Sequence, residues 1–422
     1  MNFSIHKLLA LRYNKTVQNG ALFSLFSFLN AGISFVLLII IAGFISPEGY
    51  GKINLFSTTV QIFTYFICLN TSGIISVVFF RKDNTEFKRT INTVLVLTIG
   101  CFLVLTLFLL IADKQLEKAI GLDFYFQWIA LWICLFQTLS QINLNIFRIE
   151  EKVKQYGIYS VSSAVLNFVL TILLVVTFKY DWVGRIYAQV ICCMLLFLFS
   201  VVFLIKNEYI TFVKPNRSSF KEALGFGLPL IPHSATPWLR QGLDRYFINA
   251  FHNTAQVGLF SLSMNFANII LMVGDAFNQT NSVYIYKNLA NENQDNVKNR
   301  LRKQTILLSL FFAAITVIII GGSYVFVPWI FPKYESAVKY MPFLCLSMFF
   351  KCIYLQFCNF LFYFKKTLGL MYITFSCSLL HAALSFWLTS YSIVYTTVIS
   401  AVVDLLITTG VFLYSRKFYK IW

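Results

Sequence analysis

An all-α integral membrane fold, with twelve transmembrane helices in two six-helix bundles related by a parallel repeat, is what this sequence predicts. Three observations predict it. The 422 residues are 58% hydrophobic and only 12% charged, where a soluble domain is about a quarter charged. Apolar runs of about 20 residues, each about one bilayer crossing, recur along the whole length. The polar connections between those runs alternate between basic and weakly charged.

The runs follow in order. Residues 1–20 are polar and basic, so no cleavable signal peptide is expected. The first span, 21–45, ends at SPEGYG (46–51). The second, 53–80, gives way to the basic loop 81–90. The third, 91–112, leads through 113–123 to the fourth, 124–147, which is closed by the basic loop 148–155. The fifth and sixth, 156–178 and 186–205, flank 179–185. These six form an N-terminal bundle, 1–205, and the basic stretch 206–224 is the expected cytoplasmic linker. The C-terminal bundle, 225–422, holds spans at 225–251, 257–280, 304–331, 341–364, 367–389 and 394–415.

The basic set of connections, with both terminal tails, holds 24 of the 34 lysines and arginines; the other set holds seven, and three lie inside spans. The positive-inside rule then places both termini in the cytoplasm. The net charge of +17 is absorbed by those loops, so no nucleic acid partner is expected. The alternate loops are short, which leaves nowhere for the outward domain that a glycan-processing enzyme needs. The nine cysteines all fall in apolar runs without CxxC spacing and read as small packing residues. The four histidines are scattered, so no metal site is expected. His233 and His381 lie in spans and read as hydrogen-bonded packing residues.

The repeat shows in the spacing. Corresponding spans of the two halves start about 204–217 residues apart. SPEGYGKINLFS (46–57) after the first span is echoed by NTAQVGLFSLS (253–263) after the seventh, each with a glycine, Gly51 and Gly258, just before an apolar run. Six spans per half give both halves one orientation, a transporter layout.

The seventh span, GFGLPLIPHSATPWLRQGLDRYFINAF, carries Pro229, Pro232 and Pro237, then Arg240, Asp244 and Arg245. Prolines 232 and 237 lack amide hydrogens, so the helix should break or kink there and form a hinge. At 1.5 Å per residue, Arg240 lies about 16 Å below one face, and Lys351 in span ten and Asp404 in span twelve each lie about 15 Å in. All three sit near the middle of a core about 30 Å thick. Asp275 in span eight lies nearer the cytoplasmic end. The N-terminal half offers neutral polar groups instead, among them Asn70 and Asn145, which are the candidates there for binding substrate. Two readings stay open. The charges pair with one another, Arg240 with Asp244 at i,i+4 and Lys351 with Asp404. Or Arg240, Arg245 and Lys351 bind an anionic substrate, for which arginine's planar fork suits phosphate.

Four stretches resemble the bacterial polysaccharide transporters of the O-antigen flippase type (Wzx-like), in the multidrug/oligosaccharidyl-lipid/polysaccharide exporter superfamily. They are SPEGYG (46–51), IFRIEEKVKQYGIYSVSSAVLNFVLTILLV (146–175), GFGLPLIPHSATPWLRQGLDRYFI (225–248) and FPKYESAVKYMPFL (331–344). The chain lacks the family's Gly-x-x-Gly-Ala-Ala before the last helix, where it has YSIVYTTVISAVVD (391–404). The resemblance implies two bundles flanking a cavity in a bacterial inner membrane. It implies flipping of an undecaprenyl-pyrophosphate-linked oligosaccharide repeat unit to the periplasmic leaflet, with no catalysis. Membrane lipid, a glycan polymerase and a chain-length regulator protein are the partners it implies. No cofactor is expected beyond H+ or Na+ coupling, for which Asp244, Asp404 and Asp275 are the carboxylates at hand. A cation-coupled multidrug exporter of the same superfamily is the alternative, and a membrane-embedded glycan enzyme is a third class.

Overall fold

The computed structural model describes residues 15–211, 213–290 and 294–420, and among them it is helical with no strand. The N-terminal tail lies mostly outside the described residues, as does the His233 side chain. The chain forms two compact units. Unit 1 comprises residues through Ile45, then Phe56–Lys118 and Leu122–Ile231; unit 2 comprises Ser46–Leu55, Ala119–Gly121 and the chain from Pro232 onward.

Unit 1 is built from α1 (Lys15–Phe44), most of α2 (Pro47–Cys68), α3 (Gly73–Arg81), α4 (Asn84–Ile120), α5 (Phe124–Ile149), α6 (Val153–Ile172), α7 (Asp181–Lys206) and α8 (Arg217–Gly227). The second span is two helices, not one. Leu69 and Asn70 take positive φ (46° and 53°) between α2 and α3, a conformation asparagine tolerates better than leucine. The Thr71 amide and hydroxyl both turn back to the Cys68 carbonyl, at 2.9 and 2.8 Å. α4 leaves helical geometry at Ala112 (φ −106°, ψ 17°), where the third apolar run ends. α6 closes in a π turn, Leu173–Thr177.

Residues 206–231 group with unit 1, so the division falls inside the seventh span. Hydrogen bonds explain it. The Asn92 side-chain amide donates to the Thr211 and Val213 carbonyls at 2.6 and 2.8 Å. Lys82 pairs with Glu222 at 2.7 Å, and Thr93 bonds Ser219 at 2.8 Å. Tyr209 donates to Glu150 at 2.6 Å, and burial together with that carboxylate pushes its phenol above the ordinary range. α8 opens on a capping box, the Asn216 side chain accepting from the Ser219 amide at 2.7 Å. Asn216→Ala should therefore lower stability by about 1 kcal/mol, read as a thermal shift of the purified protein.

Unit 2 contains α9 (Ile231–Pro237), α10 (Leu243–Phe251), α11 (Thr254–Leu289), α12 (Gln294–Ile330), α13 (Met341–Tyr363), α14 (Thr367–Leu388) and α15 (Ile393–Arg416). A 3-10 helix, Pro332–Tyr340, precedes α13. Its core includes Ile285, Val297, Leu301, Phe357, Leu361, Val403 and Val411. Unit 1 has its own, around Ile75, Ile91, Val94, Ile142, Ile146 and Leu204. Large apolar side chains such as Phe80, Ile111, Leu307 and Trp329 stay exposed, as lipid-facing positions do. Eleven helical stretches among the described residues are long and apolar enough to cross a membrane. The seventh span is cut into pieces too short to count alone and makes the twelfth.

The echoed sequences turn out to be two capped helix starts that cross within unit 2. The Ser46 hydroxyl accepts from the Gly49 amide at 3.1 Å, and Pro47 takes a first-turn position where its missing N–H is harmless. The Asn253 side chain accepts from the Gln256 amide at 2.9 Å. A Cβ on Gly51 would strike the Thr254 carbonyl, and one on Gly258 would strike the Pro47 carbonyl. Only glycine permits so close an approach of two backbones, the commonest device of helix association in lipid. Tyr50, fully buried beside this crossing, accepts from the Asn265 side-chain amide at 2.6 Å and packs edge-on against Tyr334.

Candidate functional site

Span seven sets the geometry of the site. After α8 comes a 3-10 turn, Leu228–Leu230, then α9, then a π turn, Trp238–Gly242, and then α10. Pro232 and Pro237 lie at the two ends of α9, and the Pro232 carbonyl accepts the Thr236 hydroxyl at 3.1 Å. The π turn follows Pro237 directly and carries Arg240. The extra residue in that turn swings the side chains beyond it off the register of a continuous helix.

Arg240 consequently meets Asp404 on α15, not Asp244 one turn further along its own segment. Asp404 is only 2% exposed. It pairs with Arg240, accepts from the Ser347 hydroxyl, and lies 3.8 Å from the Lys351 ammonium. Two cations thus share one buried carboxylate. The second contact is long, and the Arg240 Nε is buried without a hydrogen-bond partner. These groups line a cavity of about 380 Å³ within unit 2. Thr236, Gln241, Tyr354 and Thr374 add polar lining, Leu271, Leu355 and Ile407 add apolar wall, and Asp275 stands at it with an exposed side chain.

Asp244 belongs to a separate network. Fully buried, it accepts the Ser385 hydroxyl at 2.5 Å and faces His381 Nε2 at 3.1 Å from both oxygens. Arg245 points elsewhere, its Nε donating to the Ser261 hydroxyl at 3.2 Å and its Nη1 to the Gln241 carbonyl at 3.3 Å.

The expected site residues therefore divide. Arg240, Lys351, Asp404 and Asp275 come together in one cavity, with Pro237 in its wall. Arg245 and Asp244 do not line it. Asn70 lies in the break between α2 and α3, and Asn145 is half-buried on α5, both in unit 1. Sequence reasoning missed Ser347, Thr236, Gln241, Tyr354 and Thr374 as cavity or carboxylate partners. Ser347 lies one helical turn before Lys351, so α-periodicity could have found it. It also missed His381 and Ser385 as partners of Asp244. They share a face of α14 at i,i+4, but nothing local points to span seven.

A family model described as "Polysaccharide biosynthesis protein" matches residues 16–280, and one described as MatE matches residues 229–387. Over 346 residues the chain is 25% identical to "Lsg locus putative protein 1" of Haemophilus influenzae, across 79% of this chain and 81% of that protein. An uncharacterized membrane protein of the same organism is 26% identical over the same shares. Among solved structures, an inward-facing multidrug resistance MATE family transporter of the MOP superfamily has a TM-score of 0.73 at 14% identity, over 92% of this chain and 94% of that one. An outward-facing structure of such a transporter has a TM-score of 0.61 at 16% identity, over 96% of both. These solved structures share the fold, twelve helices in two bundles.

Proposed function

We propose, because the chain belongs to the polysaccharide biosynthesis protein family and is a multi-pass transporter of the MOP superfamily, that it flips an undecaprenyl-pyrophosphate-linked oligosaccharide repeat unit. The movement is from the cytoplasmic to the periplasmic leaflet of a bacterial inner membrane, with both termini cytoplasmic. The glycan is an O-antigen, a capsule or a similar polymer. The observation that carries this reading is the cavity in which Arg240 and Lys351 share Asp404 while the Arg240 Nε lacks a partner. A diphosphate entering it gains the unused donor and competes for a cation held at 3.8 Å. Charge-assisted hydrogen bonds of this kind contribute about 1.5–3 kcal/mol each. Thr236, Gln241 and Tyr354 offer hydroxyl and amide groups to sugars, and the polyprenyl tail stays in lipid. Alternating access moves the headgroup, and an H+ or Na+ gradient drives it. A glycan polymerase and a chain-length regulator receive the product.

Alanine at both Arg240 and Lys351 should reduce surface glycan by tenfold or more, since each ~1.4 kcal/mol is a factor of ten. Arg240→Lys should fall between, because it keeps the charge and loses the planar fork. Normal display from the double variant at normal abundance would rule out the anion site.

A second reading is a cation-coupled multidrug exporter. The MatE match over 229–387 and the exposed carboxylate of Asp275 in the same cavity favour it. Dye efflux from proteoliposomes that Asp275→Asn abolishes, with surface glycan unaffected by loss of the protein, would select this reading over the first.

A further inference from the structure

A groove of about 480 Å³ lies between α12, α13 and α15, within unit 2, and neither function above uses it. Ile306, Leu310 and Ala313 of α12 form one wall, and Phe349 of α13 and Phe412 of α15 form the other. Ser309 and Thr408 line it too, but both turn their hydroxyls to main chain. Ser309 donates to the Thr305 carbonyl at 2.7 Å, and Thr408 to the Asp404 and Phe350 carbonyls at 2.7 and 2.9 Å. What the groove offers is therefore mainly hydrocarbon. It is separate from the cation cavity. α13 turns Lys351 and Tyr354 to the cavity but Phe349 and Phe357 to the groove, and α15 turns Asp404 one way and Thr409 and Phe412 the other. The Phe357 and Phe412 rings meet at 4.9 Å and close the wall between them. A lipid whose headgroup sits in the cavity has no route for its tail through that wall.

One end of the groove is basic. α12 reaches it through KNRLRK (298–303), and α15 leaves it through Arg416 and Lys417. Arg302 lies three and four residues before Thr305 and Ile306, so it continues the groove-lining face by one turn. Arg416 does the same four residues after Phe412, and its guanidinium lies over the Phe412 ring, 5.6 Å from the centroid. Arg300 and Lys417 leave the same two helix ends on other faces. The positive-inside rule assigns this end to the cytoplasm. From Thr305 to Ala313 the lining runs about 12 Å along α12, less than half of a core about 30 Å thick. That length suits a chain of one leaflet.

We propose that the groove binds an anionic glycerophospholipid of the cytoplasmic leaflet, one acyl chain lying against Ile306, Leu310 and Phe349 and the phosphate held by Arg302 and Arg416. Charge decides the occupant. An apolar groove alone takes any chain, but an arginine at the end of each wall selects a phosphate, which a guanidinium meets with two parallel hydrogen bonds. Basic pockets between transmembrane helices on the cytoplasmic side are where such headgroups bind. The bound lipid ties α12 to α15, whose other face carries Asp404 to Arg240. The site stands whatever the protein carries, since this lipid is a resident of the membrane and not the cargo.

The test is native mass spectrometry of the intact purified protein with two probes of matched chains, phosphatidylglycerol and phosphatidylethanolamine. The wild type should favour phosphatidylglycerol by about tenfold or more, since each basic residue near a membrane surface contributes about fivefold. Arg302→Gln with Arg416→Gln should abolish that preference. Arg302→Gln alone, at an exposed position, should cost about fivefold and keeps the test open if the double variant fails to fold. Arg300→Gln with Lys417→Gln removes the same charge from the same helix ends off the groove face, and should keep most of the preference. Thr409→Trp fills the groove from an exposed position and should weaken both probes severalfold. Equal retention of the two probes by the wild type overturns the proposal. So does an equal loss in the two double variants, which would make the basic end a general anionic surface. Binding unchanged by Thr409→Trp overturns the groove as the seat of the chain. Undecaprenyl phosphate that outcompetes phosphatidylglycerol at the same arginines would give the groove to a prenyl lipid instead.

Discussion

Asp404→Asn is expected to destabilise the protein by about 3–5 kcal/mol, the usual loss when one partner of a buried ion cluster is removed. Fluorescence-detected size exclusion after heating reads it. The carboxylate is 2% exposed and is the common partner of Arg240, Lys351 and Ser347. Without its charge, two buried cations face each other with nothing between them. The triple variant Arg240→Met, Lys351→Met, Asp404→Leu removes all three charges together, and such replacements are commonly neutral or stabilising. It should recover the wild-type melting behaviour and display no glycan. That pairing of outcomes separates the two readings that the sequence left open. A triple variant that displays glycan normally would make the cluster structural only.

Gly51→Val and Gly258→Val should each lower stability by about 2–3 kcal/mol, the upper range for overpacking, by the same measurement. The atoms in the way are the Thr254 and Pro47 carbonyls. Main chain cannot rotate aside as a flexible side chain can. The two glycines share one crossing, so the double variant should lose less than the sum of the singles. Additive losses would show the two sites to be independent. Gly225, which has open space where a Cβ would go, is the matched control, and Gly225→Ala should change little.

The spans were legible because each is a long apolar run bounded by polar residues. The broken seventh helix was legible because Pro232 and Pro237 remove two helical donors. Bringing Arg240, Lys351 and Asp404 to one depth needed only the rise per residue, and the cluster follows from it. The choice of Asp404 over Asp244 as the Arg240 partner was not legible. It turns on a π turn whose extra residue rotates the side chain, and no residue type signals that turn. The break at Leu69–Asn70 was hidden for a different reason. Its marks are the four residues Asn70, Thr71, Ser72 and Gly73, too few to interrupt an apolar run of that length. The His381–Asp244 pair joins α14 to span seven, and such long-range pairing leaves no trace in local sequence.

The placement of Ser46–Leu55 has a consequence for how this protein can be recombined. Those residues are encoded in the first half of the gene but are packed as part of unit 2, with Tyr50 fully buried there. A chimera with a relative, joined in the 206–231 stretch, would insert one parent's Tyr50 and Gly51 into the other parent's α11. A functional exchange must move three pieces together: 46–55, 119–121 and everything from 232 onward. The piece that can be exchanged intact is therefore discontinuous, and crossovers at the apparent midpoint of the gene should be poorly tolerated.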